Sequence, residues 1–281
     1  MWSSTKRRQI TWYSSGLLVA LALTGGARSS MSQVKAGESS GYITLPPLDS
    51  LTGHSVSESI NVDGVNRTYR LYVPRSFYPG DSALIIALHG RGAGGAGSAM
   101  EQYSQLDAKA DHEGFAVAYL DGLVDATGTL NWNYYDFFFA SGPDDIGFVR
   151  SVIDLLQQQL QPNSKRIYVV GTSAGGFMAQ RVGVELSDRV AAIGVVEGNL
   201  CLLSPSSPPS IPNPAVPISV LLLKGDQDPN NQYCGAVFPS FSMTEASSDQ
   251  DFDYWSGSAA NRCEYISPEG PLCENVGVGD A

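Results

Sequence analysis

Alternation and run length divide this chain into elements. Residues 57–73 alternate around Asp63-Gly64, with Ile60 and Val62 before the pair and Tyr69, Leu71 and Val73 after it. A period of two about an Asp-Gly dipeptide predicts a β-hairpin. Ala83–Leu88, Phe115–Leu120 and Ile167–Val170 are continuous apolar runs, the pattern of strands buried on both faces. A glycine-rich loop at 90–97 follows the first run, and a helix is predicted near 99–112. Ile146, Val149, Ile153, Leu156 and Leu160 recur at helical spacing, behind Asp144-Asp145 as a cap and ahead of Pro162-Asn163 as a stop. A helix from about 175 to 186 and strands near 190–196 and 218–223 complete the pattern. Strands alternating with helices predict an α/β fold: a mainly parallel sheet with helices on both faces, plus the N-terminal antiparallel hairpin. Residues 202–217 hold six prolines, so they are expected to be an ordered excursion between two strands rather than a helix.

The first residues read differently. Lys6, Arg7 and Arg8 precede the apolar stretch Leu17–Leu23, and the small residues Gly25-Gly26-Ala27 follow. This is the layout of a secretory signal over 1–27, too short for an ordinary transmembrane helix. Residues 28–50, rich in Ser and Gly, are expected to be a flexible lead-in. Residues 51–281 form one domain in this reading. The 281-residue chain carries a formal net charge of −11, which opposes nucleic acid or an anionic lipid surface as partner. No apolar run is long enough to span a bilayer. Export to an oxidising compartment makes the four cysteines disulfide candidates, since no paired spacing supports a metal site. Cys201 and Cys234 follow strands at one end of the sheet and are expected to pair. That leaves Cys263 with Cys273.

Candidate chemistry centres on Gly171-Thr172-Ser173-Ala174-Gly175, a G-x-S-x-G between a buried strand and a helix. Such a turn lifts the serine hydroxyl above the strand end and aims the amide of the next residue at a developing oxyanion. His89-Gly90 ends an earlier strand, and the loop there is expected to supply the second amide, from Arg91 or Gly92. The His89 side chain itself reads as a packing residue that fixes the loop. Gly90-x-Gly92-x-x-Gly95 also spells a dinucleotide fingerprint, with Asp121 where a ribose ligand would lie. Export, the preceding antiparallel hairpin and the unused G-x-S-x-G all argue against it. The acid is expected after a later strand, at Asp226 or Asp228, with Asp228 preferred. Trp132, Tyr134, Tyr135 and Phe137–Phe139 form an aromatic run that either packs the core or lines an acyl pocket.

These residues resemble the secreted poly(3-hydroxybutyrate) depolymerase-like esterases, relatives of feruloyl and acetylxylan esterases among the α/β-hydrolases. The likeness runs from about Arg67 to Cys263. It rests on Arg67–Pro74, Leu88-His89-Gly90, Glu113-Gly114-Phe115, Trp132-Asn133, Asp144–Phe148, Gly171–Gly176, Gly225 with Asp228-Pro229, Trp255 and Asn261-x-Cys263. The resemblance implies a serine esterase without cofactor or metal, acting on a polymeric or plant-cell-wall ester. Ser173 is its implied nucleophile, Asp228 its acid, and the amides of Ala174 and of Arg91 or Gly92 its oxyanion hole. In the family the base is a His in a G-H-x-W-P segment beyond a final strand. No His follows His112 here, and the chain reaches Ala281 without that segment. The expectation is a product truncated before its base, with strand 218–223 at the sheet edge and 264–281 poorly packed. The alternative is a catalytically dead homologue that at most binds.

Overall fold

The computed structural model describes residues 47–92, 96–134, 142–202, 211–238 and 243–257. The expected signal, nearly all of the lead-in, Cys263, Cys273, residues 264–281, Tyr135 and Phe137–Phe139 lie outside the described residues. The short helix α1 (Leu48–Leu51) takes up the last residues of the expected lead-in.

The hairpin forms as expected from β1 (Ser55–Val62) and β2 (Val65–Tyr72), in register from Ser55↔Tyr72 to Val62↔Val65. Asp63 and Gly64 both take positive φ, 48° and 85°, as a two-residue turn of matching twist requires. The apolar runs become β3 (Leu84–Leu88) and β4 (Ala116–Leu120), every residue of which is buried.

Between them the predicted helix 99–112 is two helices, α2 (Gly97–Ser104) and α3 (Leu106–Glu113). Gln105 breaks them with φ 54°. The break seats Asp107 under the sheet, where the Tyr119 hydroxyl donates to it at 2.6 Å. Polar alternation could not show this tertiary bond in advance.

A small hairpin, β5 (Leu123–Val124) with β6 (Leu130–Asn131), precedes α4 (Asp145–Gln159). Asp144 caps α4 as expected, accepting the Gly147 amide at 2.7 Å. Then come β7 (Ile167–Thr172), α5 (Ala174–Glu185), β8 (Ala192–Val196), β9 (Cys201–Leu202) and β10 (Ser219–Leu223). The last described elements are β11 (Ala236–Phe238), β12 (Met243–Glu245) and α6 (Ser248–Gly257).

The main sheet has the order β1-β2-β4-β3-β7-β8-β10. Strands β4, β3, β7, β8 and β10 run parallel, and the hairpin joins β4 antiparallel. This is the expected α/β-hydrolase-like architecture, and β10 forms one sheet edge among the described residues. Parallel strands end together, so His89, Asp121, Ser173, Glu197 and the 224–228 turn share the carboxyl edge, where open α/β sheets place their sites. A second sheet, β11-β12-β9, packs beyond that edge. No helix of the described residues is long and apolar enough to cross a membrane.

Cys201 departs from expectation. Its residue pairs with Glu245 in the second sheet, its side chain packs into the main apolar core, and its thiol is free. Cys234 is disulfide-bonded, so its partner lies outside the described residues and the Cys201–Cys234 bridge does not form. The physical reason is burial: the Cys201 side chain is taken up by the apolar core.

Candidate active site

Ser173 sits between β7 and α5 with φ 52° and ψ −122°. A non-glycine residue pays on the order of 1–3 kcal/mol for such a backbone, and the surroundings hold it there. Its amide donates to the Val196 carbonyl at 2.9 Å, and its carbonyl accepts the Phe177 amide at 3.0 Å. The glycines of the motif are a packing necessity. A Cβ on Gly171 would collide with the Gly175 carbonyl, and one on Gly175 with the Leu88 carbonyl. The Ala174 amide opens α5, where the first turn has no acceptor of its own.

Gly90 packs against the elbow: a Cβ there would lie 3.4 Å from the Ser173 Cβ. His89 is fully buried and both its ring nitrogens are committed. Nε2 accepts the Gly122 amide at 2.9 Å, and Nδ1 lies 2.7 Å from the Gly90 carbonyl oxygen. Because Nε2 accepts, Nδ1 must carry the proton, so the ring is a neutral donor. Burial lowers its pKa, with the Gly90 carbonyl opposing that shift. The Trp132 indole donates to the His89 carbonyl at 2.8 Å. His89 therefore fixes the loop. The Gly92 amide donates to the Leu130 carbonyl at 3.3 Å, whereas the Arg91 amide has no acceptor among the described residues. Asp121 accepts the Gly97 amide at 2.7 Å and the Thr68 hydroxyl at 2.6 Å. Both bonds spend the carboxylate that the dinucleotide reading needed.

The other two histidines are remote from the elbow. His112 ends α3 just before β4 begins, and His54 precedes β1, whose first residue faces the end of β2. Both lie at the amino edge of the sheet, opposite Ser173. Asp228 lies in the turn beyond β10, where one carboxylate oxygen accepts the Asn230 amide at 2.8 Å and the Asn231 amide at 3.0 Å. Glu197, next to Val196 at the end of β8, has φ 53°. Burial raises its pKa, and the nearby Asp228 charge raises it further. The Asp226 side chain forms no such turn bonds among the described residues.

Sequence reading missed a buried polar network behind the acid. Lys224 directly follows β10, and its ammonium pairs with Asp251 of α6 at 3.0 Å and bonds the Asn199 side chain. The other Asp251 oxygen accepts the Leu200 amide at 2.7 Å, and Gln180 of α5 donates to Asp251 at 3.0 Å. Trp255 in turn donates to Gln180 at 2.7 Å. Burial lowers the pKa of Lys224 and raises that of Asp251, and the pair offsets both. The network ties the elbow helix to the strand that carries the 225–228 turn. Its one visible signal was a lysine ending the apolar run Val220–Leu223.

A second buried pair supports the other side. The Arg67 guanidinium donates to Asp145 at 2.6 Å and lies 4.1 Å over the Phe148 ring. Asp145 also accepts the Asn133 amide at 2.6 Å. Of the aromatic run, Trp132 and Tyr134 are buried, and Tyr134 stacks on Phe177 at 5.0 Å. These two pack the core. Among the described residues no group of three or more His, Cys, Asp or Glu is placed to hold a metal ion.

Comparison with known proteins agrees with the topology. Residues 67–206 match the family described as Esterase PHB depolymerase. A putative esterase, NocK, from Nocardia uniformis subsp. tsuyamanensis is 33% identical over 186 residues, covering 64% of this chain and 51% of that protein. Feruloyl esterase B of Piromyces equi is 29% identical over 58% of this chain and 29% of its own length. The bifunctional acetylxylan esterase/xylanase XynS20E of Neocallimastix patriciarum is 27% identical over 48% of this chain and 18% of its own. The chain spans about half the length of the first relative and less of the other two. Through residues 67–206, then, this chain is similar to an esterase family of the PHB depolymerase type.

Proposed function

We propose that this protein is an exported serine hydrolase of carboxylic esters, working through an acyl-enzyme on Ser173. The observation that carries the reading is the strained Ser173 turn, packed against Gly90 with the Ala174 amide at the head of α5. Ser173 Oγ attacks the ester carbonyl and gives up its proton, the amides of Ala174 and Arg91 hold the oxyanion, the ester C–O bond breaks as the alcohol leaves with a proton, and water then hydrolyses the acyl-enzyme to the carboxylic acid and free Ser173. Asp228 is the acid of this reading, held near the elbow by the network on Lys224. The Lys6–Arg8 segment ahead of Leu17–Leu23 supports export. Relatives named for feruloyl and acetylxylan ester cleavage support a plant-cell-wall ester, and the family description supports a polyhydroxybutyrate ester.

The His89 ring is committed to Gly122 and Gly90, and His54 and His112 lie at the opposite edge of the sheet, so none of these three side chains is assigned as the base for Ser173. The same observation favours the second reading, a non-catalytic binding protein on this fold. Labelling with a fluorophosphonate, followed by peptide mapping, separates them. Modification confined to Ser173, with slow nitrophenyl acetate hydrolysis that Ser173→Ala lowers, supports the hydrolase. An unlabelled Ser173 with hydrolysis equal in both proteins leaves the binding reading.

A further inference from the structure

Ser173 has a counterpart on the neighbouring strand. The register sets Thr172 of β7 level with Val196 of β8, so Ser173 and Glu197 each come first beyond the ladder. The Ser173 amide donates to the Val196 carbonyl at 2.9 Å, and the Glu197 amide donates to the Leu223 carbonyl at 2.9 Å. Both residues take positive φ, 52° and 53°. At strand spacing their backbones stand roughly 5 Å apart. The chain beyond Glu197 is fixed to the elbow: a Cβ on Gly198 would lie 2.6 Å from the Gly176 carbonyl carbon, in the first turn of α5. Backbone strain of this kind collects at functional sites.

The Glu197 side chain is exposed, and it forms no hydrogen bond or ion pair among the described residues. Two titratable groups face it. Asp228, in the turn beyond β10, adds to the rise that burial gives the Glu197 pKa. Tyr103 of α2 has its own pKa raised to about 12, by burial first and by Glu197 second. Strand β7 lies between β8 and β3, the strand that leads to α2. The Glu197 charge therefore acts across the strand end that carries Ser173.

No cation of this edge balances that charge. The loops that leave it, residues 89–96, 121–144, 197–218 and 224–235, contain two residues of fixed positive charge, Arg91 and Lys224. Arg91 is paired with Asp125 at 3.0 Å, and Lys224 with Asp251 at 3.0 Å. Glu197, Asp226 and Asp228 have no ion-pair partner among the described residues. A negative potential at a reacting centre repels an anionic substrate and spares a neutral one.

We infer that Glu197 determines specificity: its charge, backed by Asp228, excludes esters that carry a free carboxylate near the scissile bond and admits neutral ones. The inference rests on the hydrolase reading. On a polyester it places cleavage inside the chain, away from the carboxylate end. The test compares two substrates that differ by one charge, mono-4-nitrophenyl adipate and its methyl ester, by kcat/KM of the full chain at about pH 8. Wild type should prefer the methyl ester by roughly tenfold. Glu197→Gln, confirmed folded by its thermal melt, should narrow the preference to about threefold or less. Glu197→Asp, which keeps the charge, should keep the preference. Salt supplies a test that needs no variant: at about 1 M the screening length is roughly 3 Å, and the wild-type preference should narrow likewise. Equal wild-type rates on the two esters, both abolished by Ser173→Ala, would overturn the inference and leave the hydrolase reading standing. So would a preference unchanged in Glu197→Gln or at high salt. Hydrolysis of both esters that survives Ser173→Ala would remove the hydrolase reading and this inference with it.

Discussion

His89 Nδ1 stands 2.7 Å from the carbonyl oxygen of Gly90, its own chain neighbour. In a trans peptide the carbonyl and the following N–H point in opposite directions. The His89 ring therefore turns the Gly90 carbonyl toward itself and the Arg91 amide away from it, the direction that the proposed oxyanion role requires. His89→Ala removes this constraint and leaves the buried Gly122 amide unpaired. Stability should fall by about 1–3 kcal/mol, and any Ser173-dependent ester turnover should fall with it. Urea melts and steady-state rates check both. A variant of full stability and full turnover would show that the loop holds itself.

The elbow glycines make a sharper test. Gly175→Ala drives a methyl into the Leu88 carbonyl, and backbone cannot step aside as a flexible side chain can. The expected cost is about 1–3 kcal/mol, with Ser173 labelling by a fluorophosphonate lost. Gly64→Ala, at a turn where a Cβ meets nothing within 4 Å, should cost only the strain of φ 85°. It should leave labelling intact.

The Lys224–Asp251 pair predicts an asymmetry. Lys224→Met strands a buried carboxylate and should destabilise by about 3–5 kcal/mol. Lys224→Met/Asp251→Asn removes the stranded charge, while Asn keeps an acceptor for the Leu200 amide. It should recover much of the loss. Chemical denaturation of the two variants beside wild type measures this, and equal losses would mean the pair is not the source.

Two carboxyls set a pH dependence. Burial raises Glu245 from 4.5 to about 7, and burial raises Asp107 from 3.8 to about 6. Both pKa values are higher folded than unfolded, so the native state keeps protons that the unfolded chain releases. Their contribution is therefore greatest below pH 4 and is lost as pH rises to about 7. Glu245→Gln and Asp107→Asn should each flatten the fall in melting temperature between pH 5 and pH 7.5. Unchanged slopes would show that neither carboxyl is held protonated.

Cys201 is free and buried, and burial pushes its thiol up to about 12, with Glu245 adding to the shift. It should resist a thiol reagent in the native protein and react once denatured. A non-reducing peptide map should show Cys201 unbridged.

The sequence by itself determined what depends on neighbours along the chain. The Asp63-Gly64 turn, the α4 cap at Asp144 and the strand–Ser173–helix junction were legible because turn, cap and elbow are local geometries with residue-specific costs. The apolar runs determined which strands are buried, and hence the α/β class. Only the tertiary structure decided what depends on distant partners. It broke the expected helix at Gln105 to seat Asp107 beneath Tyr119. It turned Cys201 into the core rather than toward Cys234. It also joined Lys224, Asn199, Gln180 and Asp251, from four separate segments, into one network. A buried charge is tolerable only with its partner in place. Sequence spacing carries no record of a partner that arrives 27 residues later, as Asp251 does for Lys224.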